Sequence, residues 1–242
     1  MGLLDFLKTD DKKKIAGLVK KVKEPYSQPE VRQEALEALF KMATPEAYAA
    51  ALKRFTYVCQ SLHWDGEEKK WLVENLVKVG MAAVPPLQEF VRTDDNVNLA
   101  FRALERIVPE GQSLEILLGA LTSRSPEDYR RTQAKLELID HLGTRKPSPE
   151  VWAAVAPYLD DHSDDVRTKL LEVVEGWNLE AAGPAVAKLI ADDTLSARVH
   201  RRAAQCLCAL KVKLNPPPTL PPAAAEDYTV DGDGQVVRKK PA

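Results

Sequence analysis

The sequence predicts an all-α chain, an α-solenoid of about six antiparallel helix pairs. Three observations carry this. A short motif recurs about every 34 residues; each copy follows a second apolar segment; and no strand-like alternation interrupts them before the tail. The motif is a basic or polar residue, an apolar or small residue three later, then an apolar pair near +6 and +7. Val31-Arg32-Gln-Glu-Ala35-Leu-Glu-Ala38-Leu39 shows it, as do Val166-Arg167-Thr-Lys-Leu170-Leu-Glu-Val173-Val174 and Val199-His200-Arg-Arg-Ala203-Ala-Gln-Cys206-Leu207. Its anchors read as Arg32, Lys69, Val97, Arg131, Arg167 and His200.

The second helix of each unit (B) starts near its anchor. The first (A) is predicted over 15–22, 47–55, 84–91, 114–121, 151–159 and 185–190. Thr44-Pro45-Glu46, Ser125-Pro126-Glu127 and Ser148-Pro149-Glu150 each put a capping side chain before proline and an acid in the first turn, and Ser163-Asp164-Asp165 does the same for the fifth B helix. Gly80 and Gly143 read as stops. A pair this size cannot bury its apolar stripe alone, so neighbouring pairs must share a core.

These residues resemble the HEAT-repeat family in its short bacterial form. The resemblance rests on 182–193 followed by Ser196-Ala-Arg-Val-His-Arg-Arg-Ala-Ala204, and on Asp165-Val166-Arg167 and Pro29-Glu-Val-Arg32. It covers roughly 11–212 and is weakest around 56–75 and 124–143. It implies a right-handed superhelix, with arginines such as Arg32, Arg131 and Arg167 laddered to acids of neighbouring repeats. The expected organisation is a leader at 1–10, repeats over 11–214, and a Pro-rich tail over 215–242.

Composition narrows the function. The chain has 242 residues, 45% apolar and 29% charged, with net charge −2. Residues 1–80 carry 14 basic and 12 acidic side chains, and 81–160 carry 9 and 12, so no segment offers a strong phosphate-binding excess. That weighs against a HEAT-like alkylpurine DNA glycosylase, although Trp64, Trp71, Trp152 and Trp177 supply aromatics. Three cysteines make no disulfide framework, and with no export signal the expected compartment is the cytoplasm. Leu3, Leu4, Phe6 and Leu7 read as a leader turn, or as a short membrane-surface anchor within residues 1–8.

No catalytic, metal or cofactor constellation stands out. The histidines His63, His141, His162 and His200 are isolated from one another, and there is no Cys-x-x-Cys. The di-iron hydroxylases built on HEAT-like repeats use His-Glu dipeptides, which are absent. Cys206 reads as core filler, and Asp65 with Glu68 as a capping-box variant after His63-Trp64.

Taking the anchor as 0, positions −1, +3, +6, +7 and +10 face the core, and +1, +5 and +8 face the opposite, concave side. The expected partner-binding residues on that face are Phe40, Glu37, Lys70, Val77, Arg102, Leu136, Ile139, Glu172 and Arg201. Phe40, Val77, Leu136 and Ile139 give an apolar groove rimmed by charge, suited to a partner polypeptide. The competing reading is a register error that returns Val77, Leu136 and Ile139 to the core. The expected function is a non-enzymatic adaptor; the enzymatic alternatives are the glycosylase and a phycobilin-lyase-like activity. In the tail, Asn215-Pro-Pro-Pro-Thr-Leu-Pro-Pro222 reads as linker or as a docking ligand through Pro218 to Pro221. Tyr228 to Arg238 reads as a small β-hairpin, either folded back on the last repeat or left as a disordered tail.

Overall fold

A computed structural model describes residues 3–240, with side chains from Asp10 to Lys240. Gly2 and the side chains of Leu3, Leu4, Phe6 and Leu7 lie outside the described set, and with them the membrane-anchor reading. The helices are α1 (Leu3–Val22), α2 (Pro29–Met42), α3 (Pro45–Ala51), α4 (Leu62–Val79), α5 (Val84–Thr93), α6 (Asn98–Ile107), α7 (Glu110–Thr122), α8 (Thr132–Gly143), α9 (Pro149–Val155), α10 (Asp164–Trp177), α11 (Gly183–Ala191) and α12 (Ala197–Leu210). Odd numbers are the A helices and even numbers the B helices. A helical turn (Pro222–Ala225) and an antiparallel hairpin of β1 (Tyr228–Val230) and β2 (Val236–Arg238) follow.

The chain divides into two compact units, 1–120 and 121–242. In the first, the A helices pack in series (α1 on α3, α3 on α5) and so do the B helices (α2 on α4, α4 on α6), while α1 meets α2 and α5 meets α6. That is a two-layer stack with the core between the layers. In the second unit, α8, α10 and α12 form the B layer, α11 packs on α12, and the tail lies against α12.

Capping explains several boundaries. Thr44 accepts a hydrogen bond from the Ala47 amide at 3.2 Å, and Ser148 from Val151 at 3.2 Å. The fourth start signal fails: Ser125-Pro126-Glu127 forms a loop turn, in which the Asp128 amide donates to Ser125 O, and no helix begins there. The fourth A helix already runs from Glu110. At α4 the cap is Ser61, which accepts from the Trp64 amide, so Asp65 and Glu68 are not capping residues.

One register is corrected. Positions +3, +4 and +7 are buried in five B helices, with the +4 places, not expected in the core, filled by Leu36, Val73, Phe101, Leu171 and Ala204, and the anchor itself is buried only at Arg32, Val97 and His200. In α8 Ala134, Lys135 and Leu138 fill the +3, +4 and +7 places of Arg131 as expected, but its +8 place, Ile139, is buried too, and a start at Lys135 fits better because Lys135, Leu138, Ile139 and Leu142 all point inward. Arg131 ends a 3-10 turn (Tyr129–Arg131) just before the helix. A four-residue slip rotates a helical wheel by only about 40°, so apolar spacing alone cannot tell the two registers apart.

Candidate functional site

The outer face of the B layer is the surface the sequence picked out. In the first unit it carries Gln33, Glu37 and Phe40 on α2, Lys70, Glu74 and Val77 on α4, and Asn98, Arg102 and Glu105 on α6. Lys70 and Arg102 are exposed, while Glu37, Phe40 and Val77 are half-buried. Phe40 sits between Tyr48 and Trp71, with ring centroids at 5.5 and 5.4 Å and the Trp71 contact edge-on. Arg106 reaches from α6 to both Glu74 oxygens on α4, at 2.7 and 3.0 Å. This pairing holds the Glu74 carboxyl below its usual range.

In the second unit the corrected register puts Leu136, Asp140 and Gly143 on this face. Ile139, expected there, has no exposed surface and belongs to the core; Leu136 keeps its place, half-buried. Glu172 and Arg201 are exposed as expected. Lys169 bridges Asp140 on α8 and Glu172 on its own helix, at 3.2 and 3.1 Å. Arg202 of α12 pairs with Glu175 of α10.

The tail lies on this face. Arg201 Nε donates to Ala223 O at 3.2 Å, and its terminal nitrogen to Glu226 at 2.6 Å. The Tyr228 hydroxyl is pushed up by burial, with further raising by Cys208, Asp227 and Glu175 around it. Arg201 and Cys208 are the +1 and +8 positions of α12, and Glu175 is the +8 position of α10. Arg201, a predicted groove position, therefore holds a polypeptide segment of this chain, and Cys208 and Glu175 act on its tyrosine electrostatically.

Sequence reasoning missed a buried charge cluster under the loops of the first two repeats. Glu68 receives Arg32 at 2.8 Å and Arg54 at 2.6 Å; Asp65 receives Arg54 and Lys69, each at 2.8 Å. Arg54 is fully buried. Arg32 also donates to the Glu24 and Ser27 carbonyls, and Arg54 to Tyr57 O and, at 2.9 Å, to the Cys59 sulfur. Burial pushes Asp65 up, but hydrogen bonds from Lys69, Arg54 and the Cys59 amide outweigh it and hold the carboxyl at about 2. Burial raises Tyr57 to about 12 and raises the Cys59 thiol, which therefore stays protonated and is a poor nucleophile. Five charges with their donors committed to one another make a structural node rather than a reactive centre. The signal was available: with the anchor at Lys69, Glu68 falls on a core position, where a carboxylate demands a buried partner.

Above this node lies a cleft of about 430 Å³ lined by Tyr26, Gln28, Arg32, Gln60 and Trp64 among others. Around it Tyr26, Val31, Val58, Leu62 and Trp64 are exposed. A second node, Lys135 with Asp161 at 2.5 Å, is fully buried in the other unit. There Lys135 also donates to Asp128 O at 2.9 Å and Ser125 O at 3.3 Å. In the laddered set expected from the resemblance, Arg32 does reach the next repeat, whereas Arg167 pairs at 2.9 Å with Asp164 of its own helix.

Among the described residues no three His, Cys, Asp or Glu side chains are grouped to hold a metal ion. His200 has a ring nitrogen 2.9 Å from Asp192 O, and burial lifts the Cys206 thiol to about 12. Trp177, at the core-facing +10 place of α10, is half-buried and donates to Arg145 O at 2.8 Å. No described helix is long and apolar enough to cross a membrane.

No family model matches the chain, and neither does any curated protein. A solved structure of human deoxyhypusine hydroxylase in complex with glycerol aligns over 93% of this chain and 91% of that one, at 18% identity and a TM-score of 0.35.

Proposed function

We propose that this chain is a non-enzymatic, HEAT-like repeat scaffold that binds a partner polypeptide on the outer face of its B helices. One observation supports this above the others: a segment of the chain itself, the turn Pro222–Ala225 with Glu226, already packs on α12 and is held by Arg201. A surface that seats one polypeptide segment offers the carbonyl-binding cations and half-buried side chains that another needs. In the first unit half-buried Phe40 and Val77 lie on the face with exposed Lys70 and Arg102, and in the second half-buried Leu136 lies on it with exposed Glu172. Three free cysteines, two of them buried, fit a reducing compartment, and we assign the protein to the cytoplasm.

The test is affinity capture with full-length protein, followed by mass spectrometry of what is retained. Lys70→Glu, Arg102→Glu and Glu172→Lys reverse exposed charges without touching the core. Val77→Asp and Leu136→Asp remove the half-buried apolar surface. A partner bound on this face is lost or depleted at least ten-fold by the combined charge reversal, and again by the apolar pair, while circular dichroism stays unchanged. Retention of every captured protein by both folded variants overturns the reading.

A further inference from the structure

The tail is attached in an unusual way for an integral part of a repeat stack. Residues 215–222 contain five prolines. Such a stretch lacks most backbone donors and acts as an extended tether. Beyond it the helical turn and β2 pack on α12. Ala224 and Val236 supply buried apolar side chains. The polar contacts are exposed: Arg201 with Glu226, and Lys213 with Asp233 at 3.4 Å. Exposed ion pairs hold weakly, and a lone two-stranded hairpin is marginal without a surface to lie on. One contact fixes the register of the hairpin turn. Gly234 has φ +80°, and a Cβ there would stand 2.5 Å from Leu214 O, so only glycine lets the turn close on the exit from α12. Its carbonyl accepts from the Leu214 amide at 3.2 Å.

We propose that residues 222–238 are a displaceable self-ligand of the B-helix face, occupying at α12 and α10 the place a partner polypeptide takes. The proposal deepens the preceding reading and rests on it for the partner, though not for the docking itself. It also defines the partner's chemistry at this end of the face: a short turn of small apolar residues, a carboxylate one or two residues later for Arg201, and an aromatic side chain in the place of half-buried Tyr228. Ala223-Ala224-Ala225-Glu226-Asp227-Tyr228 is the internal version of that motif. Tethering makes the arrangement work. A short tether gives an effective concentration of about 1 mM. A tail seated roughly nine-tenths of the time therefore corresponds to a Kd of about 0.1 mM for the same segment untethered. A partner with micromolar affinity would displace it.

The experiment uses the full chain and a fluorescein-labelled peptide of residues 221–240. Ala224→Asp puts a carboxylate where a methyl group is fully buried and should expel the tail. The first readout is iodoacetamide labelling of each cysteine, mapped by mass spectrometry; the second is peptide anisotropy up to 1 mM. In the unaltered protein Cys208 reacts slowly and the peptide binds about ten-fold more weakly, near 1 mM, because it competes with the seated tail. In Ala224→Asp, Cys208 should react about ten-fold faster while buried Cys59 and Cys206 stay unlabelled, and the peptide should bind with a Kd of about 0.1 mM. Adding Arg201→Glu should weaken that binding at least several-fold.

Three results overturn the proposal. Unchanged Cys208 labelling means the segment does not leave. Labelling of Cys206 together with Cys208 means the tail is part of the core of the last repeat. A freed face that ignores the peptide at 1 mM is not a docking surface. If the peptide binds but no cellular partner responds to the charge-reversed variants, the self-ligand stands and only the scaffold reading fails.

Discussion

Arg54 has no exposed surface, yet it keeps its charge. Burial alone would lower its pKa, but hydrogen bonds to Asp65 and Glu68 raise it above the usual value. Such a node contributes less net stability than its distances suggest, because taking the charges out of water offsets most of the attraction, but breaking it is costly. Glu68→Gln keeps the shape and removes the charge that faces two buried guanidinium groups. The expected loss is about 3 kcal/mol in urea unfolding, at the low end for a broken buried pair because the amide oxygen still accepts one bond. A loss under about 1 kcal/mol would mean the cluster is hydrated in solution. Asp65 makes a separate prediction. Its carboxyl is held at about 2 in the folded chain, against 3.8 without perturbation. In that interval the unfolded state binds the extra proton, so stability rises with pH between about 2 and 4 and is fully present above it. The contribution is about 2 kcal/mol. Asp65→Asn should flatten this part of the stability-versus-pH curve; an unchanged slope would assign the acid sensitivity to another carboxylate.

Helix ends show where a local signal is enough and where it is not. Thr44 and Ser148 cap their helices with a side-chain hydrogen bond, and Ser163, with the same sequence signature, does not. Asp161 has taken over part of that role, accepting from the Ser163 amide at 2.9 Å while it pairs with Lys135. Thr44→Ala and Ser148→Ala should each cost about 1 kcal/mol. Ser163→Ala should change stability by no more than about 0.5 kcal/mol. Equal losses from all three, measured by thermal unfolding, would show that the Ser163 hydroxyl caps after all. The same contrast explains what the sequence could reveal. Helix existence and order were legible because apolar spacing and Thr-Pro-Glu or Ser-Pro-Glu starts are local properties. Ser125-Pro126-Glu127 carries the same letters but sits in a loop whose carbonyls Lys135 binds. Likewise, the register of α8 was set by where one buried ammonium found its acid 26 residues away, and the Arg32, Arg54, Asp65, Glu68 and Lys69 node by pairings up to 36 residues apart. Hydrophobic periodicity carries no information about such pairings. The groove residues were legible only as far as the register was right, which is why Leu136 keeps its place and Ile139 does not.

At the scale of the whole chain, a stack of helix pairs should lose stability locally. Each layer packs on its sequence neighbours, so a defect propagates through nearest-neighbour contacts instead of being shared by one common core. The two buried nodes allow a clean comparison, because one lies in residues 1–120 and the other in 121–242. Glu68→Gln strikes the node that ties α2 to α4. Lys135→Met strips the ammonium from Asp161 and leaves a buried carboxylate with no cation. Hydrogen exchange followed by mass spectrometry should show Glu68→Gln accelerating amides of α2, α3 and α4, with α10 and α12 within about two-fold of the unaltered chain. Lys135→Met should give the reverse, accelerating α8 and α10 and sparing α2 and α4. If either substitution raised exchange by the same factor in every helix, the chain would be opening as one cooperative body. The tail offers a third region within the same measurement. Because its ion pairs are exposed and the hairpin has only two strands, amides of β1 and β2 should exchange faster than those of α12 in every variant, including the unaltered protein. Protection of the hairpin equal to that of α12 would mark it as part of the repeat core, in agreement with co-labelling of Cys206 and Cys208 and against a segment that a partner can lift away.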